Sequence, residues 1–333
     1  MIKRVIQINT QLSKVTGIER VMMDLHQALK DSYDASIAGT LPFDKVNPDL
    51  NIDEKDYFRF TNPLQLRNSV VIIHERRMLP IMKILENIPG LGIKCLYIHH
   101  SEMHNNRLLS VFPKNIVAIS DKGIKNLTEF FKVPERKITK IHNCVRESEP
   151  TLRTDHLPSE QITLLYPARI NSGKQQIDIV NRFRGRLDKN VRILFAGTGP
   201  LYDELERLCK GDTQFVTLGF RNDVEKLLEQ SDYMMLFSKN EGLPISLIEA
   251  GKNYRPAVCN HVGGNSEIVE NGVNGLVADD WDSMLVLLNS LPSVTPEQWR
   301  KMGDEGRRLY EEKFTFERFK QQYSNLINRI INA

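Results

Sequence analysis

No apolar run in this sequence approaches the roughly 20 residues that a membrane-spanning helix takes. The start of the chain is basic, but residues 5–8 are too short and too interrupted for the apolar core of a signal sequence. Cysteine is scarce: Cys95, Cys144, Cys209 and Cys259 stand far apart without a Cys-x-x-Cys pair, which suits a reduced compartment and argues against structural zinc. A strong charge of either sign is missing too. The 45 Lys and Arg and 42 Asp and Glu leave a formal net charge of +3, too small to argue for a nucleic-acid partner. No internal repeat of solenoid length is present. These absences lead to the expectation of a cytoplasmic globular protein, and 333 residues suit two domains of ordinary size. The first 150 residues are modestly basic, 22 Lys and Arg against 17 Asp and Glu, a balance that can favour an anionic membrane surface.

What is present is organised around residues 233–251. An apolar run ends at Ser238-Lys239-Asn240-Glu241, and Gly242, Leu243 and Pro244 then introduce Ile245 and a segment of good helix formers. The pattern reads as strand, tight loop and helix. Pro244 suits the first helical turn, and Gly242 and Leu243 leave N–H groups to face a ligand, so the helix start is an anion site in outline. Glu249 follows Glu241 by eight positions, which places one carboxylate in the loop and the other about a turn and a half into the helix, both able to border one pocket.

Other stretches repeat the strand, loop and helix pattern. Residues 4–8 read as a buried strand, and Thr16-Gly17 opens a helix to about Lys30, a phosphate cradle in outline. Residues 41–68 are polar and proline-interrupted, which predicts a short excursion rather than a long helix. Residues 70–74 form a strand, and residues 79–88, with Arg76, Arg77 and Lys83 nearby, form a basic amphipathic helix with Pro80 in its first turn. Such a helix could lie on a membrane, although packing its apolar face on a sheet is the commoner use. The strand at 94–98 delivers His99 and His100 to its carboxyl end, where open α/β sheets bind ligands. His104 completes three histidines in six positions, but no convergent carboxylates accompany them, and no metal site is expected. A helix is expected over 121–131, and the polar run 147–161, with Pro150 and Pro158, reads as an interdomain linker. In the second half a strand ends at Arg169 and a helix begins near Lys174, so two cations flank one loop. Gly197-Thr198-Gly199 lacks the third glycine of a dinucleotide fingerprint. Asp280-Trp281-Asp282 has the form of a metal-binding Asp-x-Asp but sits in an acidic turn without the matching context. Residues 296–332 read as helical, with Phe314, Phe316 and Phe319 near a break.

The Glu241-x7-Glu249 loop and helix, followed by Gly263-Gly264 and by Asn271-Gly272-Val273-Asn274-Gly275, resembles the signature of glycosyltransferase family 4. The resemblance covers most of the second half and is looser over the first. It implies an α/β GT-B fold: two facing Rossmann-like domains with a cleft between them and a C-terminal helix crossing back to the first. The implied boundaries are 1–148 for the acceptor-binding domain, 149–315 for the nucleotide-sugar domain and 316–333 for the returning helix. It further implies a retaining, metal-independent hexosyl transfer without a cofactor, from a nucleoside diphosphate sugar, by preference a UDP-sugar. The basic first half and the amphipathic helix add the expectation of an acceptor hydroxyl on a glycan or lipid-linked oligosaccharide in surface polysaccharide synthesis, reached at the inner face of the membrane through the N-terminal domain. By the same resemblance Arg169 and Lys174 grip the diphosphate, as do the helix starts at Gly17 and at Gly242, Leu243, Pro244 and Ile245. Gly197 lines the donor site, Phe220 and Arg221 lie against the base, Glu249 holds the ribose, Glu241 contacts the sugar, and His100 or His99 faces the transferred sugar. His100 is preferred because the small polar Ser101 follows it. The sequence departs from the family pattern at Thr16 and Cys144, where relatives carry glycine. Other readings are a sugar-phosphate synthase or a phosphorylase using a soluble acceptor or phosphate, and a non-catalytic nucleotide-sugar-binding subunit.

Overall fold

The computed structural model describes residues 4–147, 158 and 160–333. The chain divides into two units, one of residues 1–146 with 314–333 and the other of residues 147–313. The segment read above as a linker lies, at 148–157 and 159, outside the described residues.

The first unit is built on β1 (Arg4–Ile8), β2 (Asp34–Gly39), β3 (Tyr57–Arg59), β4 (Ser69–Ile73), β5 (Lys94–His99), β6 (Asn115–Ala118) and β7 (Ile138–Lys140). Its helices are α1 (Gly17–Leu29), α2 (Leu79–Glu86) and α3 (Asp121–Lys125). All pairings are parallel, in the order β3-β2-β1-β4-β5-β6-β7. Parallel strands need crossovers, which cover both faces of the sheet, and central strands are therefore continuous apolar runs. Ser69–Ile73 is buried at every position.

Residues 41–68 contain short 3-10 turns at Phe43–Lys45, Pro48–Leu50, Glu54–Asp56 and Pro63–Leu66, with the edge strand β3 among them. The helix expected over 121–131 is α-helical only to Lys125. It continues as one wide turn over Asn126–Phe130, and the Asn126 amide turns inward to bond the backbone of Met103. The final helix of the chain belongs to this unit. It buries Phe319, Tyr323, Leu326, Ile327 and Ile330, and the Lys94 ammonium donates to the Ile330 and Ile331 carbonyls at 2.8 and 3.0 Å, serving its negative end.

The second unit holds β8 (Ile162–Pro167), β9 (Val191–Ala196), β10 (Phe215–Gly219), β11 (Tyr233–Leu236), β12 (Ala257–Asn260) and β13 (Gly275–Ala278). These are parallel in the order β10-β9-β8-β11-β12-β13. Its helices are α4 (Gln176–Phe183), α5 (Tyr202–Cys209), α6 (Val224–Glu229), α7 (Ile245–Lys252), α8 (Asn265–Ile268), α9 (Trp281–Ser290) and α10 (Pro296–Lys313), and the final helix of the chain is α11 (Phe316–Asn332). Asp280 is the N-cap of α9, where its carboxylate accepts the Ser283 N–H at 2.8 Å. That capping role explains the acidic residue at this turn.

Helices α7 and α10 approach at backbone distance because glycines face each other. A Cβ on Gly251 would lie 2.7 Å from the Gly306 carbonyl oxygen, and one on Gly303 would lie 2.4 Å from that of Tyr254. Neither obstacle is a side chain that can swing away. Gly303→Ala is therefore expected to destabilise the protein by about 1–3 kcal/mol, read as a lower urea midpoint at unchanged slope. A midpoint equal to wild type would show that the helices separate without cost.

Candidate active site

In an open parallel sheet, ligands bind beyond the carboxyl ends of the strands where the strand order reverses. In the second unit the reversal lies between β8 and β11. The loops leaving those two strands, 168–175 and 237–244, are tied to each other. The Lys239 N–H donates to the Gly173 carbonyl at 2.8 Å, and the buried Tyr166 hydroxyl donates to the Lys174 carbonyl at 2.6 Å while accepting the Phe237 N–H at 3.1 Å. The sequence reading missed Tyr166, since a tyrosine inside a strand carries no local sign of bonding two distant loops.

Between these loops the Lys174 ammonium and the Glu241 carboxylate form an ion pair. Glu241 is 9% exposed, so its charge is met chiefly by Lys174 rather than by water. Its backbone is held from the other side. Gly263 adopts φ +56°, and a Cβ there would lie 2.1 Å from the Glu241 carbonyl oxygen, while the Gly264 N–H donates to the Gly242 carbonyl at 2.8 Å. Asn260 clasps Ser238 in both directions, accepting its N–H at 3.1 Å and donating to its carbonyl at 2.7 Å. The glycine pair thus supports the Glu241 loop by close approach.

Arg169 is exposed on the first loop: its carbonyl accepts from the Gln176 amide at 3.2 Å, and its guanidinium has no hydrogen bond or ion pair among the described residues. The loop that carries it rests on the Gly-x-Gly turn. A Cβ on Gly197 would lie 2.2 Å from the Ala168 carbonyl oxygen, and one on Gly199 would lie 2.3 Å from that of Ile170. Gly197 in turn donates its N–H to the Gly219 carbonyl at 2.7 Å, which places the turn beside Phe220 and Arg221. Phe220 is 72% exposed, and the Arg221 guanidinium is forked onto the Asp223 carboxylate.

Pro244 differs from the expectation. Its extended backbone, φ −72° and ψ 121°, makes it the residue before α7 rather than part of the first turn, and Ile245 is the first helical residue. Pro244, the N-cap residue, makes no side-chain cap bond, in contrast to the cap residues of α1, α9 and α11. Leu243 is buried and Glu249 half-buried, with Glu249 about one turn into the helix.

In the first unit the reversal lies between β1 and β4. The start of α1 at Gly17 is already served by side chains: Thr16 caps it and the buried Glu19 carboxylate reaches back to the Thr16 N–H at 3.0 Å and accepts from Asn9 at 3.0 Å. A Cβ on Gly17 would meet nothing within 4 Å. The helix start read as a phosphate cradle in outline therefore also bonds a protein carboxylate.

The histidines diverge. His99 is fully buried, with Nε2 3.0 Å from the Asn126 amide oxygen and Nδ1 3.4 Å from the Tyr97 hydroxyl. His100 retains 7% exposure and places Nε2 3.1 Å from Nδ1 of His74, whose Nε2 is 2.9 Å from the Gln7 amide oxygen. His104 lies apart with its ring edge against Phe130. Burial pushes the His74 imidazole down to about 3 and His99 to about 4; burial, aided by His74 and His99, holds His100 well below 6.5.

Residues 161–291 match the family model described as glycosyl transferases group 1. The chain is 24% identical over 257 residues to the N-acetyl-alpha-D-glucosaminyl L-malate synthase of Bacillus anthracis, covering 74% of this chain and 67% of that protein. Over 111 residues, 32% of this chain and 28% of the relative, it is 30% identical to a UDP-Gal:alpha-D-GlcNAc-diphosphoundecaprenol alpha-1,3-galactosyltransferase of Escherichia coli. Anabaena HepE, solved in complex with UDP, superposes with a TM-score of 0.81 at 16% identity, covering 98% of this chain and all of that one. The chain has the GT-B fold, and over residues 161–291 it is similar to the group 1 glycosyltransferases. The parallel sheets of seven and six strands are the two α/β domains of that fold.

The depressed histidines give this GT-B protein a defined pH response. Between pH 6.5 and about 4 the unfolded imidazoles take up protons that the folded ones refuse, so stability falls as pH falls through that window. Each buried imidazole contributes a loss on the order of 2 kcal/mol by about pH 5. Urea midpoints should drop between about pH 7 and about pH 5, and less steeply in His74→Gln. Equal slopes in the two proteins would remove His74 from this account.

Proposed function

We propose that the protein transfers a hexosyl unit from a nucleoside diphosphate sugar, a UDP-sugar in this reading, to a hydroxyl of a glycan or lipid-linked acceptor with retention. The observation that carries it is the grouping of Arg169, Lys174, Glu241 and the start of α7 around the strand-order reversal of the second unit. Lys174 offsets the Glu241 carboxylate, which leaves Arg169 and the helix start as positive groups for a diphosphate. These groups would stabilise the departing nucleotide electrostatically, a task that elsewhere falls to a metal ion. Glu249 would hold the ribose hydroxyls, Glu241 the sugar hydroxyls, and His100 would contact the transferred sugar. The acceptor oxygen would attack the anomeric carbon on the leaving-group face. The bond from that carbon to the diphosphate oxygen breaks, and the donor phosphate takes the acceptor proton.

The uridine preference is supported by the UDP bound to HepE, and the lipid-linked acceptor by the name of the Escherichia coli relative. A second reading, with a small soluble acceptor, is favoured by the L-malate synthase relative.

Helix α2 supports contact of the first unit with an anionic membrane. Met78, Leu79, Met82 and Leu85 are buried, but Ile81, Ile84 and Ile88 are exposed at 50, 66 and 41% along a second face. The unit containing them has 25 Lys and Arg against 16 Asp and Glu, a net of +9, while the other has 20 against 26, a net of −6. Apolar side chains on a basic unit suit the headgroup boundary of an anionic bilayer. The pair Ile81→Ser with Ile84→Ser should lose most sedimentation with vesicles containing anionic phospholipid. Wild-type protein that ignores such vesicles at low salt would remove the membrane contact.

The transferase reading is tested by thermal shift and donor hydrolysis over UDP, GDP, ADP and CMP sugars, with and without chelator. One UDP-sugar should stabilise the protein saturably and be hydrolysed slowly, unaffected by chelator. Glu241→Ala should lose at least about 100-fold in kcat while keeping nucleotide affinity, and Glu249→Ala should chiefly weaken binding. Near-wild-type kinetics in either variant would remove that residue's role.

A further inference from the structure

Gln7, His74 and His100 lie on the neighbouring strands β1, β4 and β5 or just beyond them, and together they form one buried chain of hydrogen bonds. Its direction follows from one end. The Gln7 side-chain nitrogen donates to the Met22 carbonyl at 3.0 Å, and a carbonyl can only accept, so the amide oxygen is the atom turned toward His74. That oxygen also only accepts. His74 must therefore carry its proton on Nε2, 2.9 Å away.

A neutral imidazole has one N–H, so Nδ1 of His74 is an acceptor, and His100 must place its own proton on Nε2 to meet it at 3.1 Å. The two rings lie within 19° of parallel, which suits an in-plane hydrogen bond between ring nitrogens. Both are buried, and both are held neutral across the physiological range. Nδ1 of His100 has no partner among the described residues, and His100 is the one member of the chain that opens toward the carboxyl end of β5.

We infer that Gln7 and His74 are positioning residues that lock His100 in the Nε2–H tautomer, so that its Nδ1 meets the substrate as a hydrogen-bond acceptor for a sugar hydroxyl. The inference deepens the transferase reading and rests on its assignment of His100 to the sugar. Without the amide oxygen of Gln7, nothing prevents both rings from exchanging tautomers together, and Nδ1 of His100 would then present a donor where a hydroxyl must donate. A hydroxyl can rotate to accept, so the loss is partial rather than complete.

The test combines long-range proton–nitrogen NMR of the full chain, labelled at histidine, with turnover of the UDP-sugar found in the donor panel. In the wild-type chain near pH 7, His74 and His100 should both show the Nε2–H signature. Gln7→Met, which keeps the volume and removes the acceptor, should populate Nδ1–H at His100 and lower kcat/KM by about 10-fold. Gln7→Glu, held as the neutral acid by its burial, offers a carbonyl oxygen to His74 and an O–H to the Met22 carbonyl, and should recover both the tautomer and most of the turnover. A proton on Nδ1 of His100 in the wild-type chain overturns the relay without any variant. So does a Gln7→Met protein that loses turnover with its tautomers unchanged, because Gln7 would then be acting on structure alone. Wild-type protein with the expected tautomers but no turnover of any nucleotide sugar would keep the relay and remove the sugar contact.

Discussion

A parallel strand can join the next only by a crossover, and that constraint shapes both halves of this molecule. Helices close over both faces of each sheet, so the strands become apolar throughout, and the polar side chains that a catalyst needs are displaced to the strand ends. Where the strand order reverses, two crossovers leave in opposite directions and their loops part. The second unit fills this place with Arg169, Lys174 and Glu241, and the first with Thr10, His74 and Glu75. These polar groups are thus gathered on two short rows of loops by the packing of the sheets.

The loops at those places are stiffened in different ways. In the second unit, close backbone approach dominates: Gly197 and Gly199 seat the Arg169 loop, and Gly263 seats Glu241. In the first unit the stiffening is polar. Glu19 bonds Asn9 and Thr16, Glu75 bonds Thr10, and the Gln7, His74 and His100 chain runs beneath them. Buried polar groups of this kind are costly unless every member is satisfied, so each partner narrows the geometry open to the others. The Arg169 side chain and Phe220 stand exposed on this framework.

Much of the fold was legible because strand and helix signals are local. The apolar runs at 70–73 and 233–236, the helix opening at Thr16-Gly17 and the glycine-punctuated turns appear in the structure where their chemistry puts them. The boundaries that moved did so for tertiary reasons. Pro244 stays extended because the Glu241 loop is held against Gly263 and Gly264, and the expected helix after β6 opens into a wide turn so that Asn126 can reach Met103 and His99. The Glu19 contact was the least legible: a glycine at a helix start suggests an anion cradle, and no local sign showed that Glu19, two residues on, reaches back to Thr16 and across to Asn9.

By itself the sequence determined which stretches are buried strands, which loops carry charge, and the spacing that sets Glu241 and Glu249 on one loop and helix. These follow from periodicity and from turn chemistry, which act over a few residues. Only the tertiary structure decided partners: Lys174 with Glu241 across 67 positions, Gln7 with His74 across another 67, and His100 rather than His99 beside His74. Such pairings depend on which strands neighbour each other and on which face each side chain takes, and no local pattern encodes a neighbour that arrives by a crossover.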